Sequence, residues 1–182
     1  MLWVTLGILV LLSVLVIIIY NQLVQSRQLV ENGWSDIEVQ LKRRADLIPR
    51  LVDTVKGYAG HERKLFSEVI EKRNVALAAG DKPDARASAE GALQKPVGRL
   101  IALAEDYPEL KASGNFLDLQ NELSETEDRI EMSRRFYNGA VRALNTKIES
   151  IPNNFVAGPF GFKKRDYFDI DDSDYAAPKV GL

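Results

Sequence analysis

The residues best able to do chemistry in this sequence are a lone histidine and a large set of carboxylates. His61 is the only histidine, and it directly precedes Glu62. This pair begins the zinc motif H-E-x-x-H, in which two histidines one helical turn apart bind the metal. Leu65 occupies the fifth position, so the motif fails, and a Ser/His/Asp triad would depend on the same imidazole. We therefore interpret His61 as a loop residue and expect neither a metal nor a cofactor.

The carboxylates offer little more support for catalysis. They lie at helical spacings beside lysine or arginine, as in the pair Glu38 and Lys42, so solvated helix faces explain them without a paired-carboxylate mechanism. The glycines at positions 158 and 161 lack the preceding strand and following helix that phosphate binding requires. No catalytic residue is predicted, and we expect a protein that is not an enzyme.

Residues 151–168 suit binding rather than catalysis. They place aromatic residues among proline, glycine and lysine without helical periodicity. Such rings either pack on the protein's own helices, which is the expected arrangement, or form an exposed contact patch. The basic run suits lipid headgroups or an acidic partner, although a solvated turn is the simpler interpretation. The candidate interaction segment comprises Phe155, Phe160, Phe162, Lys163, Lys164, Arg165 and Phe168.

The element that must position all of these residues is the apolar run 1–20. It contains no charged side chain, and a helix of this length spans about 30 Å, the thickness of a bilayer's hydrocarbon core. A cleaved signal peptide would begin with basic residues and end in a small-residue site, and neither is present. Trp3 and Tyr20 lie near the ends of the run, where aromatic rings favour the headgroup layer. We predict a single membrane anchor that contacts lipid.

Flanking charge predicts the orientation of this anchor. Cationic residues close to a span tend to stay on the cytoplasmic side, and they follow the run here, beginning with Arg27 and continuing with residues 42–44. The favoured topology places the amino terminus outside and the body in the cytoplasm. The opposite topology stays open.

Length and composition limit the remaining choices. The 162 residues after the run suit one domain with a real core. The net charge is -2, so no large positive field attracts the protein to nucleic acid, and we expect no nucleic-acid partner. The sequence also gives no sign of a small-molecule substrate. The absence of cysteine excludes disulfides and thiolate chemistry.

Helical periodicity dominates residues 21–150. An apolar stripe recurs every three or four residues from Val30 to Val55, and Pro49 predicts a kink rather than an end because the stripe continues in phase. Gly57 and Gly60 predict a bend or break, which leaves open whether residues 21–79 form one kinked helix or two.

Two further helical stretches follow. One runs from about residue 84 to 106, with a kink or later start expected at Pro96. The other begins near Asn115 and carries a near-heptad apolar seam over residues 119–148, until Ile151 and Pro152 end it. The predicted fold is all-α: a transmembrane helix followed by an antiparallel bundle of about four long helices. Residues 169–182 are predicted to form a disordered acidic tail.

Several stretches, in order from residue 20 to about 162, resemble the LemA family of bacterial membrane proteins. They include Trp34-Ser35-Asp36-Ile37, Asp46-Leu47-Ile48-Pro49, Tyr107-Pro108-x-Leu110-Lys111-Ala112, Arg134-Arg135-Phe136-Tyr137-Asn138 and Phe160-Gly161-Phe162. Departures include Gly33, where alanine is usual, and Pro96. The resemblance implies a single-span protein of the bacterial cell membrane with a bundle of long helices. It supplies no catalytic residues, because the family has no established reaction.

Three functional hypotheses follow. The leading one is a membrane-tethered scaffold or adaptor that binds another membrane or envelope protein through a helix face or through residues 151–168. The alternative is self-assembly, in which the seams at residues 30–55 and 119–148 pair between copies as a coiled-coil-like membrane organiser. The least favoured is an enzyme or protease cofactor that depends on His61.

Overall fold

The computed structural model describes residues 1–169, and these contain six helices and no strand. The predicted all-α class is therefore confirmed. Nearly all of the predicted tail at 169–182 lies outside the described residues. The helices are α1 (Leu2–Lys56), α2 (Arg63–Ala78), α3 (Pro83–Glu105), α4 (Pro108–Lys111), α5 (Gly114–Glu149) and α6 (Asn153–Ala157).

Helix α1 contains both the apolar run and the amphipathic stripe. No break separates residues 1–20 from the rest, and the helix continues through Pro49 to Lys56. It is the one helix in the described part of the chain that is long and apolar enough to cross a membrane. Residues 21–79 thus comprise the remainder of α1, a turn near the two glycines, and α2.

The chain divides into two units, and α1 and α5 each contribute to both. The first unit comprises Met1–Ile37 and Ser133–Tyr167. Its small apolar core joins α1 to α6 and to the residues that follow α6. The core residues are Ile19, Leu23, Val156, Ala157 and Phe162, with Val24 and Ile148 packed against them.

Helices α1 and α5 approach closely within this first unit. A Cβ atom added to Gly33 would lie 3.2 Å from Cα of Tyr137 and 3.0 Å from Cδ1 of Phe136. Beside this point, the rings of Trp34 and Tyr137 pack against each other, with their centroids 5.5 Å apart. The missing side chain at Gly33 therefore allows the two helices to meet at this distance.

The second unit comprises Glu38–Met132 together with Phe168 and Asp169. Its core is assembled from the end of α1, all of α2, α3 and α4, and the start of α5. The fully buried side chains at its centre are Ile48, Leu51, Val55, Val69, Leu93, Leu100 and Leu110. The apolar periodicity read from the sequence therefore corresponds to a buried core.

Pro49 is accommodated in α1 by a neighbouring helix of the same unit. Proline has no N–H, so the carbonyl of Ala45, four residues earlier, loses its ordinary helical donor. Arg73 on α2 supplies a replacement, because its Nε donates to the Ala45 oxygen over 2.8 Å. This bond removes the unsatisfied backbone acceptor that would otherwise oppose a continuous helix.

Two local expectations are corrected. Helix α3 begins at Pro83 and contains Pro96 in its interior, which excludes the later start that was one of the two alternatives expected there. Residues 153–157 form the helix α6 in a segment for which no helix was predicted. Five residues are less than two helical turns, which is too short for an apolar period to be visible in the sequence.

Candidate functional site

His61 lies exposed in the turn between α1 and α2. Residues 1–169 contain no group of three or more histidine, aspartate or glutamate side chains placed to hold a metal ion. The candidate site is the aromatic segment 151–168.

The segment after α5 folds back on α1 within the first unit. Val156 and Ala157 of α6 pack on Ile19 and Leu23, together with Phe162. This packing places α6 beside the end of the apolar run.

Phe162 contacts an aromatic and a cationic partner on α1. Its ring centroid is 5.7 Å from that of Tyr20, in an edge-to-face arrangement. Cζ of Arg27 lies over the same ring, 5.5 Å from its centroid, within cation–π range. Phe162 is thus a core residue of the first unit, and its side chain is not available to a partner.

Other apolar residues of the same segment face outward. The exposed fractions are 76% for Ile151, 72% for Phe155 and 56% for Phe160. The ring of Phe160 nevertheless touches α1, since its centroid is 5.1 Å from that of Tyr20. At the other end of the apolar run, Trp3 is exposed. Residues 151–162 therefore have one buried face and one apolar face that is open.

Residues 163–167, which we call the strap, run without helical structure along α5. The side-chain amide of Asn145 binds the backbone of Arg165 at two points: its Nδ2 donates to the Arg165 carbonyl and its Oδ1 accepts from the Arg165 N–H, both over 2.9 Å. The hydroxyl of Tyr137 donates to the carbonyl of Asp166 over 2.9 Å. Two side chains of α5 thus hold the strap through its backbone.

The three predicted cations of the strap differ in their pairing. Lys164 pairs with Glu149, and Nη2 of Arg165 lies 3.5 Å from a carboxylate oxygen of Glu31. Lys163 is exposed and has no ion pair with any residue that the structure describes. It is therefore the cation of this run most open to an external anion.

Phe168, the last predicted residue of the candidate segment, is fully buried and belongs to the second unit. The predicted set is thus divided by the fold. The exposed members are Phe155, Phe160, Lys163, Lys164 and Arg165, whereas Phe162 and Phe168 are internal. Only the exposed members can contact another molecule without local unfolding.

Sequence reasoning missed a buried ionic network in the second unit. The guanidinium of Arg44 binds the carboxylate of Glu90 on α3 and both carboxylate oxygens of Glu127 on α5, the latter over 2.7 and 3.0 Å. Nε of Arg86 donates to the same Glu90 over 3.1 Å. Interpreting such residues as solvated faces is wrong for Arg44, Arg86 and Glu90, all of which are buried. The one signal of this network in the sequence is the i,i+4 spacing of Arg86 and Glu90. The partners of Arg44 are distant in sequence, so spacing could not indicate them.

The carboxylates of the network stabilise the charge of Arg44. Desolvation by burial lowers the pKa of Arg44, but the negative charges of Glu127 and Glu90 and their hydrogen bonds outweigh it, so its pKa lies above the ordinary value. A buried guanidinium with two carboxylate partners is a structural tie among α1, α3 and α5.

Comparison with known proteins adds the following relationships. The sequence profile of the LemA family matches residues 33–181. Magnetosome protein MamQ 2 of Paramagnetospirillum magneticum is 29% identical over 174 residues, which cover 82% of this chain and 64% of that protein. Protein LemA of Metamycoplasma hominis is 28% identical over 137 residues, which cover 75% of this chain and 63% of that protein. The chain thus spans just under two thirds of the length of these relatives.

Proposed function

Because the chain belongs to the LemA family, we propose that it is a membrane-anchored helical-bundle protein that serves as a scaffold or adaptor for other membrane or envelope proteins. The observation that carries this proposal is the composition of α1 along its length. Its first part is apolar and exposed, and the same helix then supplies buried residues to the core of the second unit. Apolar surface costs about 25 cal/mol per Å² in water, so lipid is the environment that this exposed part fits.

Exposed apolar side chains on the helices of the second unit support partner binding. Val39 on α1, Val75 on α2 and Leu117 on α5 all face solvent. Apolar side chains on helix faces, rather than a cleft, are the features that an adaptor offers to a second helical protein. We propose that the partner-binding surface includes one of these faces.

Site-specific photo-crosslinking in living cells tests this proposal. A photoreactive amino acid replaces Val39 or Val75 in the full chain, and Asp53, an exposed polar position on α1, serves as the matched control. We expect discrete adducts with membrane or envelope proteins from Val39 or Val75, and fewer from Asp53. No adduct from either apolar position would contradict the proposed surface, and adducts only between copies would favour self-assembly.

Self-assembly through the predicted seams is not favoured by the positions of their residues. Ile37, Leu41 and Ile48 of the first seam are buried within the chain, as are Leu123 and Leu144 of the second. Pairing between copies would therefore have to use other surfaces. A detergent-solubilised full chain that stays monomeric across a wide concentration range would support the adaptor.

We also propose that the second unit lies in the cytoplasm. Positive charge follows the apolar run, beginning with Arg27. Ser88 is exposed on α3 and the chain has no cysteine, so Ser88→Cys gives a single reporter. Protection of this thiol from an impermeant maleimide in intact cells, with labelling after lysis, is the expected result. Labelling in intact cells would place the second unit on the outer side.

A further inference from the structure

The structure assigns a second membrane contact to this chain. We propose that residues 151–160, here called the interfacial turn, insert their exposed apolar side chains into the headgroup layer of the bilayer that α1 crosses. The inference rests on the proposed membrane anchoring by α1. It adds a monotopic lipid-binding element on the chain segment that follows α5.

The depth of the interfacial turn is set by its packing on α1. Val156 and Ala157 contact Ile19 and Leu23, and the ring of Phe160 meets that of Tyr20. Three residues of helix correspond to about 4.5 Å, so Leu23 lies only that far along the axis beyond Tyr20. If the apolar run fills the hydrocarbon core, these contacts hold the turn at the membrane–water boundary.

The chemistry of the exposed face fits that boundary. Ile151, Phe155 and Phe160 expose most of their side chains although the buried side of the same turn is well packed. Aromatic and large apolar side chains placed beside a span favour the interfacial layer, where they leave water without entering the centre of the bilayer. Water is a poor environment for three such residues within ten positions.

Charges next to the turn suit anionic headgroups. Glu31 forms an ion pair with Arg165, and Glu149 forms one with Lys164. Lys163 stays exposed and has no ion pair in the described part of the chain. Lipid phosphate is therefore the anion that this cation meets when the turn lies in the headgroup layer.

Depth-dependent quenching in reconstituted vesicles tests the inference. The full chain is placed in vesicles of phosphatidylcholine and phosphatidylglycerol, with one cysteine carrying an environment-sensitive fluorophore. The reporter positions are Phe155→Cys and Phe160→Cys, with Leu11→Cys for the span and Val75→Cys as an exposed apolar control on α2. Spin-labelled lipids then report the depth of each fluorophore. No other protein is present, so quenching by lipid is not confused with a protein partner.

The expected result is quenching of positions 155 and 160 by spin labels near the headgroups, quenching of position 11 by labels deep in the acyl chains, and no quenching of position 75. Quenching at 11 without quenching at 155 and 160 would overturn the interfacial turn while leaving the anchor intact. Loss of quenching at 11 would instead refute the anchoring on which the inference rests. Blue-shifted emission at 155 or 160 that depends on protein density and not on the quencher would show a second copy there, and would also overturn the inference.

A variant pair separates insertion from mere proximity. Phe155→Ser removes the most exposed ring of the turn and leaves both the contact of Phe160 with Tyr20 and the buried contacts of Val156 and Ala157 unchanged, so the turn keeps its packing on α1. A fluorophore at Ile151→Cys should then lose its quenching by headgroup-level labels, whereas Val75→Ser should not alter it. Unchanged quenching at 151 in the Phe155→Ser variant would show that the exposed ring does not drive insertion, and would overturn the inference.

Discussion

Arg73 and Ala45 form a hydrogen bond that stands in for one that the α1 backbone cannot make. Nε of Arg73 donates to the carbonyl oxygen of Ala45 over 2.8 Å, and the missing donor is the absent N–H of Pro49. The same guanidinium lies 3.8 Å from the carboxylate of Asp46. A side chain of α2 thus compensates for a proline in α1, which ties the two helices together at that point.

This relationship predicts a coupling between Arg73 and Pro49. Arg73→Ala should lower the free energy of unfolding by about 1–3 kcal/mol, because it leaves the Ala45 carbonyl without a partner. In a Pro49→Ala background the helix regains its own donor, so the same substitution should cost less. Chemical unfolding followed by circular dichroism measures all four members of this cycle. Equal costs in both backgrounds would contradict the compensation.

The buried network predicts a large effect at Arg44. Arg44→Met leaves the carboxylate of Glu90 buried without its main cationic partner, and should destabilise the protein by about 3–5 kcal/mol. Arg50→Met on the same helix is the matched control, since the Arg50 side chain is 64% exposed and its Nη1 lies 4.0 Å from a carboxylate oxygen of Glu122. That substitution should cost less than about 1 kcal/mol. Similar losses from both, measured by denaturant unfolding, would show that the network is not a specific tie.

Asn145 should control the attachment of the strap. Asn145→Ala removes two hydrogen bonds to the Arg165 backbone, with an expected cost of about 1–3 kcal/mol. Release of the backbone should also speed trypsin cleavage after Lys163, Lys164 and Arg165, measured by limited proteolysis. Thr146→Ala, at the exposed neighbouring position on α5, should leave the cleavage rate unchanged. A rate that responds equally to both substitutions would contradict the role of Asn145.

Two glycines should respond oppositely to added side chains. A Cβ at Gly139 on α5 meets nothing within 4 Å, so Gly139→Ala should stabilise the protein by up to about 1 kcal/mol through helix propensity. Gly33→Leu forces atoms into the close approach of α1 and α5, and should destabilise by about 1–3 kcal/mol. Thermal unfolding of the two variants compares them directly. Unchanged stability of the Gly33→Leu variant would show that α1 and α5 can move apart at this point with little loss of free energy.

Glu125 provides a test of pH dependence. The hydrogen bond and charge of Arg129, 2.6 Å away, lower the pKa of Glu125, with a smaller contribution from the charge of Arg43. The pair therefore contributes stability above the unfolded-state pKa of about 4.3, and that contribution disappears as pH falls through the lower folded-state pKa. Carboxyl NMR titration should show the depressed pKa of Glu125 and its return toward the ordinary value in Arg129→Gln. An unchanged pKa in that variant would contradict the assignment.

The helices could be predicted because apolar side chains that recur every three or four residues lie on one face of a helix. That face is buried whichever helix packs against it. Ile37, Leu41 and Ile48 were placed on one stripe by spacing alone, and they are buried. The small helix α6 could not be predicted in this way, since its formation depends on Val156 and Ala157 packing against α1.

The candidate segment was located by composition, but its internal division was not predictable. Phe160 and Phe162 are two residues apart and chemically identical, yet Phe160 is exposed and Phe162 is buried in contact with Tyr20 and Arg27. Which ring faces inward depends on how the turn 158–161 closes over α1. Contacts between residues more than a hundred positions apart decide that, and the spacing of residues within the segment does not indicate them.

By itself, the sequence determined the apolar span, the helical class and the family, because each depends on residue order along one segment. The tertiary structure alone decided that Arg44 is buried between Glu90 and Glu127, that Arg73 compensates for Pro49, and that α6 packs on Ile19 and Leu23. The physical reason is shared by all three. A charge or a ring gains or loses free energy according to the groups that surround it, and here those groups come from distant parts of the chain.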